Sequence, residues 1–409
     1  MSPDAELELH RAFEVLAGVV PPVDEIEPLP VAQARGRVLA RPLVAQLDLP
    51  GQDLAAMDGY AVRSRDAAQA RNVLTVAGRV RAGQAPAGPA GPGACVRIMT
   101  GAPLPEDCDA VVVQEVVTSA GEGAVVVPGP VAPGANRRRR GEHVRAGSVA
   151  LPARRWLRPA DLALAGALGA GVLEVFRCLR VGVLSTGDEL REAPDGLASG
   201  ACYDSNRPMI LAALGQTALV GVDLGICADD PECLQRSLEQ ASTLRLDVVL
   251  VSGGASVGES DIVRQLPGIS FLQLRMRPGR GLAWARLAGP HPLLLLGLAG
   301  NPVAAFVQLH LLARPLLAYL AGADAGPPVP IGLPIACELR NRPGRIDLRR
   351  ARLLRDARGA TLVEPLEGQG SAMIRGVCEA QALVAVGPQA IYRAGTRLPC
   401  YLLDSLAYS

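Results

Sequence analysis

The sequence predicts a multi-domain protein of the α/β plus β class, in which a parallel-rich sheet with helices on both faces is flanked by β-rich regions. The chain has 409 residues, enough for about two or three domains. Hydrophobic residues make up 49% of it, which excludes wholesale disorder, and aromatic residues only 3%, so Ala, Val and Leu must build the cores. Apolar strands alternate with helical segments over about 179–320, whereas short Val-rich runs precede them.

The N-terminal part predicts a helix followed by a β-rich region. Leu9, Phe13 and Leu16 recur at helical spacing within residues 5–20, which predicts an amphipathic helix there. Between residues 31 and 147, Val-rich runs alternate with Gly/Pro clusters, a pattern typical of strands joined by surface loops. The four arginines at 137–140 are typical of a solvated turn.

Four apolar segments that each run into polar residues are the predicted strands of the α/β region. They lie within 179–190, 219–230, 246–261 and 292–302, and a long apolar helix follows over 303–320. Right-handed crossovers place the carboxyl ends of parallel strands at one edge of the sheet, where ligands bind. A Pro/Gly-rich linker at 322–334 precedes short runs that predict a small all-β C-terminal domain.

Composition and spacing exclude several classes of function. The 41 basic residues, all Arg, balance 40 acidic ones, and a net charge of +1 argues against a nucleic-acid partner. Nine Cys without a C-x-x-C pair and four His without ligand spacing argue against a disulfide framework and a zinc site. The acidic N-terminus lacks the apolar stretch of a signal peptide, and no clean membrane span is evident, so a soluble cytoplasmic protein is expected.

Polar residues cluster at the predicted strand ends. They are Ser185, Thr186, Asp188 and Glu189 after the first strand, Asp229 and Asp230 after the second, Ser252, Gly253, Gly254, Ser256 and Asp261 after the third, and Asn301 after the fourth. A Gly-Gly turn lets a ligand approach the backbone, whose N–H groups can cradle an anion. Carboxylates beside such turns indicate a site where Mg²⁺ bridges protein and phosphate oxygens. The alternative is that each acidic residue caps a helix.

Two further sets of residues carry a weaker signal. Arg277 and Arg280 flank a Pro-Gly turn, where two guanidinium groups suit a tetrahedral oxyanion, although a solvated loop explains them equally well. Asp58 and Thr100 lie beside Gly residues of the β-rich region, where composition alone predicts hairpin loops. The Gly-rich turns match neither a Walker A loop nor G-x-G-x-x-G, so neither P-loop hydrolysis nor dinucleotide binding follows.

Eight motifs occur in the order found in one family. They are MDGYAV (57–62), RIMTGAPLPEDCDAVVVQE (97–115), RRRGE (138–142), STGDEL (185–190), DSN (204–206), SGGASVGESD (252–261), GNPV (300–303) and GQGSA (368–372). On these motifs the chain resembles the molybdopterin molybdenumtransferases of the MoeA type, which are similar to the C-terminal catalytic part of gephyrin. The resemblance implies a central three-layer αβα molybdopterin-binding domain, flanked by an elongated N-terminal helical and β-rich part and a small C-terminal β-barrel-like domain.

The resemblance also implies domain bounds, a reaction and an assembly. The bounds are 1–45 with 141–176 for a discontinuous linking domain, 46–140 for a β-rich domain, 177–326 for the α/β domain and 327–409 for the last domain. The implied reaction inserts molybdate into adenylylated molybdopterin and releases AMP, with Mg²⁺ as cofactor, in molybdenum cofactor biosynthesis. The implied protein is a homodimer with its active site between subunits, in transient contact with the molybdopterin adenylyltransferase and acceptor molybdoenzymes.

Carried over onto this sequence, the family's motifs assign a role to each candidate residue. Asp58, Thr100, Asp188, Glu189, Asp229 and Asp261 would be catalytic, with Glu189, Asp229 and Asp261 holding Mg²⁺ and Asp58 and Thr100 reaching the cleft from the partner subunit. Ser185, Thr186, Ser252, Gly253, Gly254, Ser256 and Asn301 would bind the pterin nucleotide. Arg277, Arg280, Arg350 and Ser371 would bind molybdate.

The sequence departs from the family at the expected molybdate pocket. Arg277 and Arg280 stand where the family has Lys, and Ala304 stands where it has Ser. Arg keeps the charge but is bulkier and forked. These departures suggest an alternative function, that of a non-catalytic molybdopterin-binding paralogue or a tungstate-specialised version. A second alternative is an adenylyltransferase that acts one step earlier. The N-terminal 150 residues and the C-terminal domain argue against this second alternative.

Overall fold

The chain forms two compact units. The structure, a computed structural model, describes residues 6–85, 88–215, 218–253, 262–289, 291–342, 344–388 and 391–403. The larger unit comprises Met1–Arg41, Ala153–Leu162 and Val172–Ser409, and the smaller unit comprises Pro42–Pro152 and Ala163–Gly171.

A seven-stranded mixed sheet forms the centre of the larger unit. Its strands in spatial order are Glu6–Leu7, Ser270–Leu274, Gly281–Leu287, Leu293–Leu298, Val248–Ser252, Leu179–Thr186 and Leu219–Cys227. The last four are mutually parallel, which confirms the predicted parallel-rich sheet. The sequence pattern missed the two antiparallel strands within 270–287, because this stretch forms a hairpin where a crossover helix would keep the strands parallel.

Alternate residues of the central strands face two separate cores, as a sheet covered on both sides requires. Val181 and Val183 belong to one buried cluster and Leu184 to the other, and Val248 and Val249 alternate in the same way. The first cluster also takes in the helices Leu9–Ala17, Asn206–Leu214 and Pro302–Gln308, and the second takes in the helix Pro231–Thr243. The three-layer arrangement is therefore confirmed.

The long apolar helix after the fourth strand is a core helix. It runs from Pro302–Gln308 through a π-helical segment, Leu309–Ala313, into Arg314–Leu320. Its length and mean hydropathy of 1.5 match those of a membrane-spanning helix. However, 78% of its most apolar 18-residue stretch is buried inside the protein. Its leucines pack into the first core cluster.

The C-terminal part of the larger unit is a small β structure. Its strands in spatial order are Met276–Arg277, Ile346–Arg355, Ala382–Val386, Arg397–Leu402 and Ile331–Pro334, with Thr361–Pro365 on Ile346–Arg355. A bridge between Ile335 and Val363 joins the last strand back to Thr361–Pro365. This closure makes the part barrel-like, and a buried cluster fills it.

The smaller unit contains a six-stranded sheet with a buried cluster on each face. Its strands in spatial order are Ala110–Val113, Gly59–Val62, Ala94–Ile98, Arg71–Val80, Ala124–Pro128 and Thr118–Gly121. Within this unit, Arg137–Arg138 is a short strand and Arg140 donates to Asp48 at 2.6 Å, so the arginine run is more ordered than a solvated turn.

Short paired strands and helices complete the two units. The pairs are Ile26–Pro30 with Val172–Phe176, Leu43–Val44 with Val149–Leu151, Leu54–Ala55 with Arg137–Arg138, Leu190–Arg191 with Cys202–Tyr203, and Leu339–Arg340 with Ile391–Tyr392, and the helices are Pro159–Ala167 and Arg375–Glu379.

Candidate active site

A cleft of about 590 Å³ lies at the carboxyl ends of the parallel strands. The strand register places Thr186 beside Cys227 and Ser185 beside Ser252, so the polar residues that follow these strands share one edge. The residues that line the cleft include Thr186, Glu189, Asp229, Ser252, Gly253, Arg280, Asn301 and Ala304. We call the strand-end residues 185–189, 229, 252–253 and 301 the carboxyl edge.

The floor of the carboxyl edge depends on backbone that only glycine adopts easily. Gly253 has φ +115°, and a Cβ atom there would lie 2.5 Å from Thr186 Oγ1 and 2.6 Å from the Thr186 carbonyl oxygen. Gly187 has φ +150°, and a Cβ atom there would meet the Glu189 carboxylate at 2.6 Å. The two glycines therefore let Thr186 and Glu189 close onto the turn backbone. Gly254, Ser256 and Asp261 lie outside the described residues.

The carboxylates of this edge crowd one another. Asp188 Oδ1 accepts a hydrogen bond from the backbone N–H of Asp229 at 3.0 Å. Loss of solvation, and then the negative charges of Asp188 and Glu189, raise the pKa of Asp229 above its ordinary value. Asp230 instead caps the helix Pro231–Thr243, accepting from the N–H groups of Glu232 and Cys233. The helix-cap alternative thus applies to Asp230, while Asp229 remains available to a ligand.

The described carboxylates fit Mg²⁺ as part of a site shared with substrate. Glu189 and Asp229 line the same cleft, and a cation would relieve the repulsion that, after loss of solvation, raises the pKa of Asp229. Within the described ranges no group of three or more His, Cys, Asp or Glu could hold a metal ion. Because Mg²⁺ in proteins is usually bound by one or two carboxylates plus substrate phosphates, two carboxylates suffice on the protein side.

The four predicted molybdate residues divide into those at the cleft and those held elsewhere. Arg280 lines the cleft, and its Nε lies 3.1 Å from Glu6 Oε1. Arg277 donates to Asn341 and lies 3.5 Å from Asp347, outside the described lining of the cleft.

Arg350 and Ser371 belong to the C-terminal part. Arg350 is only 1% exposed and donates to the carbonyl oxygens of Gly368 at 2.9 Å, Gly370 at 3.0 Å and Met373. Burial lowers its pKa. Ser371 Oγ accepts from Asn301 Nδ2 at 3.0 Å. In this structure Arg350 holds the loop 368–373, and Ser371 connects that loop to the cleft through Asn301.

Comparisons with known proteins agree with the motifs. The MoeA N-terminal region (domains I and II) matches residues 7–169, a "Probable molybdopterin binding domain" matches 182–319, and the MoeA C-terminal region (domain IV) matches 333–403. The molybdopterin molybdenumtransferase of Haemophilus influenzae is 35% identical over 371 residues, which cover 89% of this chain and 90% of that protein. The chain belongs to the molybdopterin molybdenumtransferase family. The corresponding protein of Synechococcus elongatus is 34% identical over 405 residues, 95% of this chain and 98% of that protein.

A solved structure extends the agreement to the fold. The molybdopterin biosynthesis moeA protein of Pyrococcus horikoshii OT3 has a TM-score of 0.80 at 27% identity, covering 98% of this chain and 100% of that one. The predicted family and the predicted fold class of the chain are therefore confirmed. The predicted domain bounds and the roles of single residues stay predictions.

The molybdenumtransferase motifs of the smaller unit form a local site of their own. Asp58 Oδ1 accepts from both the backbone N–H and the hydroxyl of Thr100, each at 2.7 Å. These two hydrogen bonds, and then the charge of Arg97, lower the pKa of Asp58. Asp58 is therefore an ionised aspartate that Thr100 holds in place by two hydrogen bonds.

Sequence reasoning missed Asn206 as a site residue of this molybdenumtransferase-family chain. Asn206 is 6% exposed, lines the cleft, and donates from Nδ2 to Ser252 Oγ at 2.8 Å and to the Gly300 carbonyl at 2.7 Å. In the described part of the chain, Asn206 Oδ1, Ser185 Oγ and Asn301 Oδ1 are buried without a hydrogen-bond partner. Such atoms cost about 1–3 kcal/mol each unless a ligand or water satisfies them. The signal in the sequence was the polar triplet at 204–206 before a helix.

Proposed function

We propose that this protein inserts molybdenum from molybdate into adenylylated molybdopterin and releases AMP. The observation that carries the proposal is that acidic residues (Glu189, Asp229) and a guanidinium group (Arg280) line one cleft at the carboxyl ends of parallel strands. Such a cleft can hold a phosphate-bearing substrate, a metal ion and an oxyanion together. The relatives' names favour the molybdenum reaction over a non-catalytic or tungstate-specialised paralogue.

In the proposed reaction the carboxyl edge binds and orients the adenylylated pterin. The turn backbone at Gly253 and the hydroxyls of Thr186 and Ser252 meet the phosphates, and Asn206 and Asn301 present their unpaired oxygens to ligand donors. Asp188 fixes the backbone of Asp229. Glu189 and Asp229, with Asp261 as a third expected ligand, would hold Mg²⁺, which when bound neutralises charge on the pyrophosphate. Arg280 attracts the oxyanion to the same cleft.

The test is molybdate-dependent AMP release by the purified chain with adenylylated molybdopterin and Mg²⁺. We expect release that requires both molybdate and the divalent cation. Tight substrate binding without AMP release would favour the non-catalytic paralogue instead, and ATP-dependent adenylylation of molybdopterin would favour the enzyme of the preceding step.

We also propose the homodimer with a shared active site, transient contacts with the adenylyltransferase and acceptor molybdoenzymes, and a cytoplasmic location. The free thiols of Cys202, Cys337 and Cys378 are exposed and suit a reducing compartment. Shared sites predict complementation: inactive Asp58→Ala and Asp229→Ala proteins, unfolded together and refolded, should regain about a quarter of wild-type activity, because mixed dimers carry one intact site. No recovery, with mixed dimers isolated through different affinity tags on the two variants, would count against the shared site.

A further inference from the structure

The N-terminal strand brings a carboxylate to the rim of the cleft. Glu6–Leu7 pairs in parallel with Ser270–Leu274, with Glu6 opposite Gln273. Glu6 Oε1 accepts from Arg345 Nε at 2.6 Å and lies 3.1 Å from Arg280 Nε. The Glu6 side chain is 21% exposed and the Arg280 side chain is 48% exposed, so this contact is partly open to water. One carboxylate oxygen therefore stands between two guanidinium groups.

This arrangement resembles a bound anion supplied by the protein itself. A guanidinium group attracts a carboxylate and a tetrahedral oxyanion with the same N–H donors and the same charge. Arg280 lines the cleft, and among the described residues Glu6 is the carboxylate with which it forms an ion pair. An oxyanion that approaches Arg280 must thus compete with the charge of Glu6.

We propose that Glu6 is an internal counter-anion that sets the affinity of the cleft for its oxyanion substrate. The inference rests on the proposed function, in which Arg280 attracts molybdate. Glu6 offsets one of the two positive charges of Arg280 and Arg345 when no oxyanion is present, and it weakens binding to a level from which the oxyanion can leave. In this role Glu6 is a positioning residue that acts on the oxyanion through Arg280 and lies outside the described lining of the cleft.

The chain offers a matched control close to Glu6. Glu8 also pairs with an arginine, since Glu8 Oε1 lies 3.4 Å from Arg275 Nη1. Arg275 lies outside the described lining of the 590 Å³ cleft. Glu6→Gln and Glu8→Gln remove the same charge from neighbouring positions, so a general change in net charge affects both equally.

The experiment measures binding of molybdate alone to the full chain by calorimetry, for wild type, Glu6→Gln, Glu8→Gln and Glu6→Gln/Arg280→Gln. Glu6→Gln should lower the Kd for molybdate about fivefold, because the partly exposed charge that competes with molybdate for Arg280 is lost. The Kd of Glu8→Gln should stay within about twofold of the wild-type value. The double variant should lose the increase in affinity that Glu6→Gln alone produces. Thermal unfolding checks that each variant folds.

Each outcome decides the inference separately from the proposed function. Unchanged or weaker molybdate binding in Glu6→Gln overturns it, as does an equal gain in Glu8→Gln or a complete absence of molybdate binding. A gain specific to Glu6→Gln in a protein without molybdate-dependent AMP release upholds the counter-anion and refutes the transferase reaction.

Discussion

The two sides of the cleft hold their side chains in different ways. On the carboxyl edge, strand register alone brings Ser185, Thr186 and Ser252 together, and the turns need only glycine at two positions. On the arginine side, Arg280 depends on a partner far away in the chain, Glu6. A sheet edge is assembled by backbone hydrogen bonds that every residue except proline can make in full, whereas an arginine's direction is set by whichever acceptor lies nearby. The first side is therefore fixed by topology and the second by individual contacts.

The largest effect is expected at another arginine that individual contacts hold, in the C-terminal part of the larger unit. Arg350→Leu removes a buried guanidinium group that donates to the carbonyls of Gly368, Gly370 and Met373. Losing these charge-assisted bonds should lower the free energy of unfolding by about 3 kcal/mol, measured by urea denaturation. Arg352→Leu is the control, because its side chain is 56% exposed and should cost under about 0.5 kcal/mol. Equal losses in both variants would show that the loop is not held by Arg350.

The carboxyl edge should show its strongest effect in catalysis. Asp229→Asn removes a carboxylate proposed to hold Mg²⁺ and should slow AMP release about 100-fold. The control is Asp230→Asn, which removes a neighbouring charge but keeps a side-chain oxygen at the helix N-cap, and it should leave the rate within a few-fold of wild type. Equal loss of activity in the two variants would show that the negative charge at Asp229 has no particular role in the cleft.

The same residue should affect stability and activity in opposite directions. The folded-state pKa of Asp229 lies above its ordinary value of 3.8, so the folded protein binds this proton more tightly than the unfolded chain. Its charged form therefore destabilises the fold, and the penalty is relieved as the pH falls through the raised pKa. Without divalent cations, Asp229→Asn should unfold at a slightly higher temperature than wild type at pH 7 and at the same temperature near pH 3. A lower unfolding temperature at pH 7 would contradict the crowding of carboxylates.

The turn backbone is expected to contribute less to stability than Arg350 does. Gly253→Ala forces a Cβ atom against Thr186 at a φ of +115° and should cost about 2 kcal/mol of unfolding free energy. The control is Gly166→Ala in the helix Pro159–Ala167, where the added methyl group would have no atom within 4 Å. It should instead stabilise the protein by about 0.5 kcal/mol, because alanine favours a helix more than glycine does. A neutral Gly253→Ala would mean that the turn can shift without loss.

The sequence predicted the carboxyl edge well because its signals are local. Each strand is an apolar run followed directly by its polar residues, so finding the strand also finds Thr186, Asp229 and Ser252. It could not predict the contacts of Arg350, because its acceptors are carbonyl oxygens, which carry no side-chain signal. It also could not pair Arg280 with Glu6, because the two lie far apart in the chain and the strand Glu6–Leu7 is too short for a periodic pattern. The hairpin over 270–287 was missed because the rest of this region alternates regularly between strand and helix, and the hairpin stands where that alternation predicts a crossover helix.

The smallest effect is expected in the labelling rate of exposed thiols, which distinguishes the cleft from the rest of the surface. Cys202 is exposed and lines the cleft, whereas Cys337 and Cys378 are exposed outside its described lining. Burial raises the pKa of Cys95 to about 11, so this thiol should stay unmodified in the folded protein. Adenylylated molybdopterin should slow maleimide labelling of Cys202 about threefold and leave Cys337 and Cys378 unchanged, as followed by mass spectrometry of the peptides. Labelling needs no turnover, so protection of Cys202 locates the substrate in the cleft even in the slow Asp229→Asn protein. Equal labelling with and without substrate would place the substrate elsewhere.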